Sequence, residues 1–203
     1  MNVQLNSTMR LITGTVKPTP LPWLPVLANI EPPDLRRKAA VDKLLTKVAS
    51  HEDWGLYGDI TNPPTHRLLS RHPLWEDMHP QDITARWREE WESASVVNHY
   101  LVGDPAIRQP GFDLCRRQWC LLNRFRTAQG QCKACLKRWG QATSDLCDCG
   151  EIQTMQHIVD ACPLTKFEGG LQALHGADVA AVEWLSIGGE RHTKQQQQAT
   201  PKK

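Results

Sequence analysis

The chain has 203 residues, 40% of them apolar, and a formal net charge of +2. That is length enough for one large or two small domains with a real core, and a balance too near neutral to imply a nucleic-acid partner by itself. Pro20, Pro22 and Pro25 break the apolar stretch near the start before it reaches the roughly 18 residues of a membrane span, and the residues around Met1–Ser7 lack the basic flank of a signal peptide. An odd number of cysteines, seven, argues against a disulfide framework and for metal or free thiols. An intracellular protein, nuclear or cytoplasmic and neither secreted nor membrane-bound, is expected.

In chain order, Val3, Leu5, Met9, Leu11 and Ile12 predict a helix over 3–12, closed by Gly14. Trp23, Leu24, Leu27 and Ile30 recur at helical spacing after Pro22, until Pro32-Pro33 stops the run. Asp34 is placed to cap a third helix from Leu35 to about Val48. Its apolar side holds Leu35, Ala39, Leu44, Leu45 and Val48; Arg36, Arg37, Lys38, Lys43 and Lys47 read as a solvated face. From His51 to about Pro110 the chain is rich in turn formers and tryptophans, broken by Asn62-Pro63-Pro64, His72-Pro73 and His79-Pro80. One helix is expected there, about Pro80 to Ser95, with Trp87 and Trp91 as a packing stripe.

Between Cys115 and Arg138 the charge is all positive: Arg116, Arg117, Arg124, Arg126, Lys133, Lys137 and Arg138, interleaved with Trp119 and Phe125. Arginine forks suit phosphate oxygens and aromatic rings can stack on unpaired bases, so the stretch has the footprint of a nucleic-acid groove. It also fits a helix that buries Trp119, Leu121, Leu122 and Phe125 and solvates its arginines. The two readings are compatible. Arg116, Arg117, Arg124, Arg126, Lys133 and Arg138 are the candidate phosphate contacts.

The densest chemistry follows. Cys147, Cys149, His157 and Cys162 are spaced Cys-x-Cys-x7-His-x4-Cys. Three thiols and an imidazole complete the tetrahedral set of a structural zinc, leaving no position open for substrate. Such a site holds a fold together and presents a surface. Gly150 permits the positive φ of a metal-wrapping turn, Thr154 can cap a short helix bearing His157, and Pro163 turns Cys162 out of that helix. Cys115, Cys120, Cys132 and Cys135 are read as ordinary core or surface cysteines, with a second four-thiol site as the alternative. From Glu190 the chain is glutamine- and lysine-rich without an apolar anchor, the pattern of a disordered tail.

Leu121-Leu-Asn-Arg-Phe-Arg-Thr-Ala-Gln-Gly130, Arg138-Trp-Gly140, Cys147-Asp-Cys-Gly and Gln153-Thr-Met-Gln-His-Ile-Val-Asp-Ala-Cys-Pro-Leu164 resemble the C-terminal end of non-LTR retrotransposon reverse transcriptases of the jockey-like kind. Met9-Arg-Leu-Ile-Thr-Gly14, Thr19-Pro20, Leu24-Pro-Val-Leu-Ala-Asn-Ile30 and Pro33-Asp-Leu-Arg-Arg-Lys-Ala-Ala40 resemble the thumb and post-thumb helices of the same family. The resemblance implies that Cys147, Cys149, His157 and Cys162 hold zinc in a C-terminal knuckle. It also implies binding of RNA and DNA during target-primed reverse transcription, alongside the rest of an RNA-directed DNA polymerase. The paired aspartates of a two-metal polymerase site, usually Tyr-x-Asp-Asp, are missing. Tyr57-Gly-Asp59 supplies one carboxylate and Tyr100 none, so no catalytic residue is assigned.

The expectation is a mainly α protein. Thumb-like helices over 1–50 and a tryptophan- and proline-rich helical connector over 51–110 precede a basic segment with a zinc knuckle over 111–186 and a tail over 187–203. It binds nucleic acid without a small-molecule substrate. A zinc-stabilised protein-interaction module or an inert remnant of a decayed element are the alternatives.

Overall fold

The computed structural model describes residues 2–62 and 82–194. The fold is mainly helical, as expected, and the described residues form no sheet. No described helix is long and apolar enough to cross a membrane. The chain divides into two units, one of residues 1–30 with 94–203 and one of residues 31–93. This division runs across the expected segments: the helix from Pro33 belongs with the one after Asp82.

In the smaller unit, α3 (Pro33–Ala49) and α5 (Ile83–Glu92) pack together, with α4 (Tyr57–Thr61) against α3. Trp87 and Trp91 are buried, so the stripe packs as read; Leu35 and Val48 are the buried residues of α3. Pro33 stands at the start of α3, where a missing N–H costs nothing. Asp34 therefore sits inside the first turn, bonded to Arg37, rather than capping the helix. Asp82 does cap α5, accepting the Thr84 N–H at 2.9 Å. The expected breaks at His72-Pro73 and His79-Pro80 lie outside the described residues.

In the larger unit α1 (Asn2–Thr13) ends at Gly14, whose φ is +67°. A Cβ on Gly14 would lie 1.9 Å from the Cys120 sulfur, so close approach as well as handedness demands glycine. α2 (Trp23–Ala28) buries all its residues and packs Leu24 and Ala28 on Met9 of α1. The central element is α6 (Arg116–Arg126), which meets α1, α8 (Gly170–His175) and α9 (Val179–Lys194). Trp119, Leu122 and Phe125 face inward; Leu121 is only half-buried. Phe125 and Phe167 meet the Trp184 ring of α9 at centroid distances of 5.3 and 5.8 Å. α9 continues to Lys194, past the point where a tail was expected.

A polar spine runs through this core. Asn123, fully buried, donates to the Thr13 carbonyl at 2.9 Å and so ties α6 to the end of α1. Arg126, also fully buried, donates to Nδ1 of His175 at 3.0 Å. Its other donors reach Asn123 Oδ1 and the carbonyls of Pro110 and His175. Burial, then the adjacent guanidinium, depress the His175 imidazole from 6.5 to about 4.

Between those values the unfolded chain takes up a proton that the folded chain refuses. Stability is therefore full above pH 6.5 and falls as pH drops from 6.5 towards 4. At about 1.4 kcal/mol per pH unit the whole effect is on the order of 3 kcal/mol. Urea unfolding at pH 7.5 and 4.5 tests this against His175→Gln, whose amide oxygen can still accept from Arg126. The wild type should lose the larger share of its stability; equal losses would refute the assignment.

Candidate metal centre

The cluster is built on a tight turn followed by a widened helical turn. Leu146 and Ile152 form an antiparallel bridge. Between them Cys147 N–H donates to the Glu151 carbonyl at 2.6 Å and Gly150 N–H to the Cys147 carbonyl at 3.0 Å. Gly150 takes φ +95°, the left-handed geometry expected of it. This turn carries Cys147 and Cys149 on one short loop. Thr154 Oγ1 then accepts the His157 N–H at 3.0 Å, the cap read from the sequence.

Cys162 reaches the cluster partly by the turn expected ahead of Pro163 and partly by a widening of the helix that the sequence does not announce. In an α-helix a residue five places after His157 points well away from it. Residues His157–Ala161 instead form a π turn, in which the Cys162 N–H donates to the His157 carbonyl at 2.7 Å. The wider turn brings positions 157 and 162 to the same side. Cys162, ahead of Pro163, then leaves the helix in extended geometry (φ −65°, ψ 121°). The carbonyls of Ile158 and Val159 accept from the Thr165 hydroxyl and the Phe167 N–H, both at 2.9 Å. Asp160 accepts the Leu171 N–H at 2.7 Å and so ties the turn to α8.

The outcome is convergence. The ligand atoms of Cys147, Cys149, His157 and Cys162 all lie within 4.8 Å of one another, and no other such group occurs among the described residues. Cys147 and Cys162 are buried; Cys149 and His157 are half-buried. The Cys147 and Cys162 sulfurs are 3.7 Å apart, and Cys149 Sγ is 3.2 Å from His157 Nε2. Burial pushes the Cys147 thiol up. Hydrogen bonds from the Cys149 backbone, the Gln153 amide and His157 outweigh it and bring the thiol down to about 6. Bonding to the Glu151 backbone lowers Cys149, but burial and the thiols of Cys147 and Cys162 leave it raised. A buried Cys3His cluster of this kind can hold a metal ion.

The other four cysteines form no second ligand cluster among the described residues, although the Cys132 and Cys135 thiols meet. Cys115 is exposed and donates to Gln118 at 3.1 Å, and Cys120 packs on Gly14. Cys132 and Cys135 are buried, and burial pushes Cys132 up to about 11.

The structure divides the candidate phosphate contacts. Arg126 is removed from the set, because its guanidinium is buried and spent on His175, Asn123 and Pro110. Arg116 is exposed, but its guanidinium holds the carbonyls of Leu11 and Ile12 at the end of α1. Lys133, on α7 (Lys133–Arg138), pairs with Asp148 at 2.7 Å, and Lys137 pairs with Asp145 at 2.9 Å. The Lys137 ammonium holds the Asp145 carboxyl below its ordinary range. Arg117 and Arg138 are exposed, and Arg138 donates to Gln129 Oε1 at 3.3 Å and to Cys135 Sγ at 3.1 Å. Arg124, half-exposed and seven residues after Arg117 on the same face of α6, donates to the Gly14 carbonyl at 3.4 Å.

Two acids and an amide were missed. Asp145 and Asp148 begin where the acid-free stretch ends, three residues apart, facing lysines four apart; that complementary spacing is their signal. Gln153 had none, since its role depends on α7 lying beside the knuckle. Compared with protein-family models, curated proteins and solved structures, the chain matches none.

Proposed function

We propose that residues 145–167 form a zinc knuckle serving a nucleic-acid-binding surface, and that the chain binds rather than catalyses. The observation that carries this reading is the convergence of the four ligand atoms within 4.8 Å. Tetrahedral zinc with metal–sulfur bonds of about 2.3 Å has sulfur–sulfur edges of about 3.8 Å, and Cys147 and Cys162 stand 3.7 Å apart. Protein groups occupy all four positions of such a site, which suits a structural role. Arg117, Arg124 and Arg138 supply the phosphate contacts, while Lys133 and Lys137 stay paired with Asp148 and Asp145.

With the resemblance of Leu121–Gly130 and Gln153–Leu164 to jockey-like non-LTR reverse transcriptases, the nucleic acid is template RNA or target DNA in target-primed reverse transcription. The polymerase carboxylates then lie outside this sequence. Anisotropy titration of the zinc-loaded protein with single-stranded RNA tests the phosphate contacts. Three of them give a slope of log K against log salt of about −2. Arg117→Ser with Arg138→Ser should bring it to about −0.7; a wild-type slope near zero would rule the reading out.

A second reading, a protein-binding knuckle, has its own support. Leu146 and Ile152 face each other across the turn and are both exposed, and residues 145–153 contain no aromatic ring on which a base would stack.

A further inference from the structure

The first N–H groups of a helix have no partner within it. At α7 the N-cap position is Cys132, whose side chain makes no capping bond. The Lys133 N–H instead donates to Gln153 Oε1 at 3.0 Å, and the Ala134 N–H to the Gln153 carbonyl at 3.1 Å. Gln153, twenty residues further along the chain, thus caps α7 from outside. The other end of the same amide does something different: Nε2 donates to the Cys147 sulfur at 3.6 Å. The residue is buried, and its own N–H donates to the Asp145 carbonyl at 2.8 Å, which fixes the side chain between the two partners.

We infer that Gln153 is a positioning residue that couples the metal centre to α7, so that metal occupancy and the order of α7 strengthen one another. The inference rests on the metal reading above. A bound metal ion fixes the Cys147 sulfur where the Gln153 Nε2 reaches it, so metal binding favours the amide orientation that leaves Oε1 facing Lys133. That orientation caps α7, which carries Lys133, Lys137 and Arg138. Coupling of this kind is reciprocal: whatever steadies α7 tightens the metal site by the same factor.

Two variants separate the two ends of the amide. Gln153→Leu removes both bonds, whereas Gln153→Glu keeps an acceptor for the Lys133 N–H and loses the donor to Cys147. Zinc affinity, by competition with a chromophoric chelator, should fall 10- to 100-fold in both, the usual effect of losing a partner just outside a metal's ligands. In the cobalt-substituted protein the thiolate-to-metal charge-transfer band should move to longer wavelength in both, because the sulfur has lost a hydrogen bond. Hydrogen exchange at the Lys133 amide should quicken in Gln153→Leu and stay slow in Gln153→Glu. In the wild type it should quicken when the metal is removed. Wild-type affinity and an unmoved band in both variants would overturn the coupling. A wild type that binds no metal would instead defeat the metal reading itself.

Discussion

Replacing Cys162 with serine, or withdrawing the metal with a chelator, is expected to unfold residues 145–167 while α1, α2 and α6 stay helical. Cys162 is fully buried, and the turn that delivers it is bonded to Thr165, Phe167 and Leu171, after the chain has doubled back. A π turn is a poor helix by itself, and the loop 147–150 closes on only a few backbone bonds. The metal is the strongest attraction available to either segment. Apparent binding energies of roughly 10–16 kcal/mol for structural zinc in small domains exceed what such a segment gains from its own core. Amide exchange should therefore show protection lost at Cys162 and Phe167 in Cys162→Ser but kept at Asn123 and Thr127. Uniform loss across the larger unit would mean that the knuckle and the helices fold as one.

Arg126→Ala is expected to destabilise the larger unit by about 3–5 kcal/mol. The guanidinium donates to four neutral acceptors: His175 Nδ1, Asn123 Oδ1 and the carbonyls of Pro110 and His175. It also lies 5.4 Å from the centroid of the Trp119 ring. Burial brings it down to about 9, so it stays charged at neutral pH. Alanine opens a cavity beneath Trp119 that water can enter to reach some of those acceptors, and each acceptor left dry costs about 1–3 kcal/mol. Arg126→Lys should recover little, since one ammonium cannot reach partners that a planar fork spans. Urea unfolding monitored by tryptophan fluorescence gives the answer. A loss below about 1 kcal/mol for the alanine variant would contradict the role assigned to the spine.

Arg126 also shows where the sequence is legible and where it stops. The apolar rhythm of α6 is plain in Trp119, Leu122 and Phe125, and so is the helix it predicts. A charged residue beside that stripe reads as solvated, because charge burial needs partners that lie elsewhere: His175 is 49 residues on and Pro110 is 16 back. The same distinction holds at the metal centre. Ligand identity, the Gly150 turn and the Thr154 cap are local properties, and each is written in adjacent residues. The π turn is not, since its carbonyls are satisfied by Thr165 and Phe167 after the chain has doubled back. Asp34 failed as a cap for a local reason, the proline at the start of α3. α8 and α9 carry short apolar patterns, and their burial depends on packing against α6.

The most direct measurement is the metal content of the purified full chain by elemental mass spectrometry, beside Cys149→Ser. Cys149 is half-buried, so the substitution removes a ligand with little disturbance to packing. One equivalent of zinc is expected in the wild type and less than half in the variant. Less than half an equivalent in the wild type, unchanged in the variant, would contradict it.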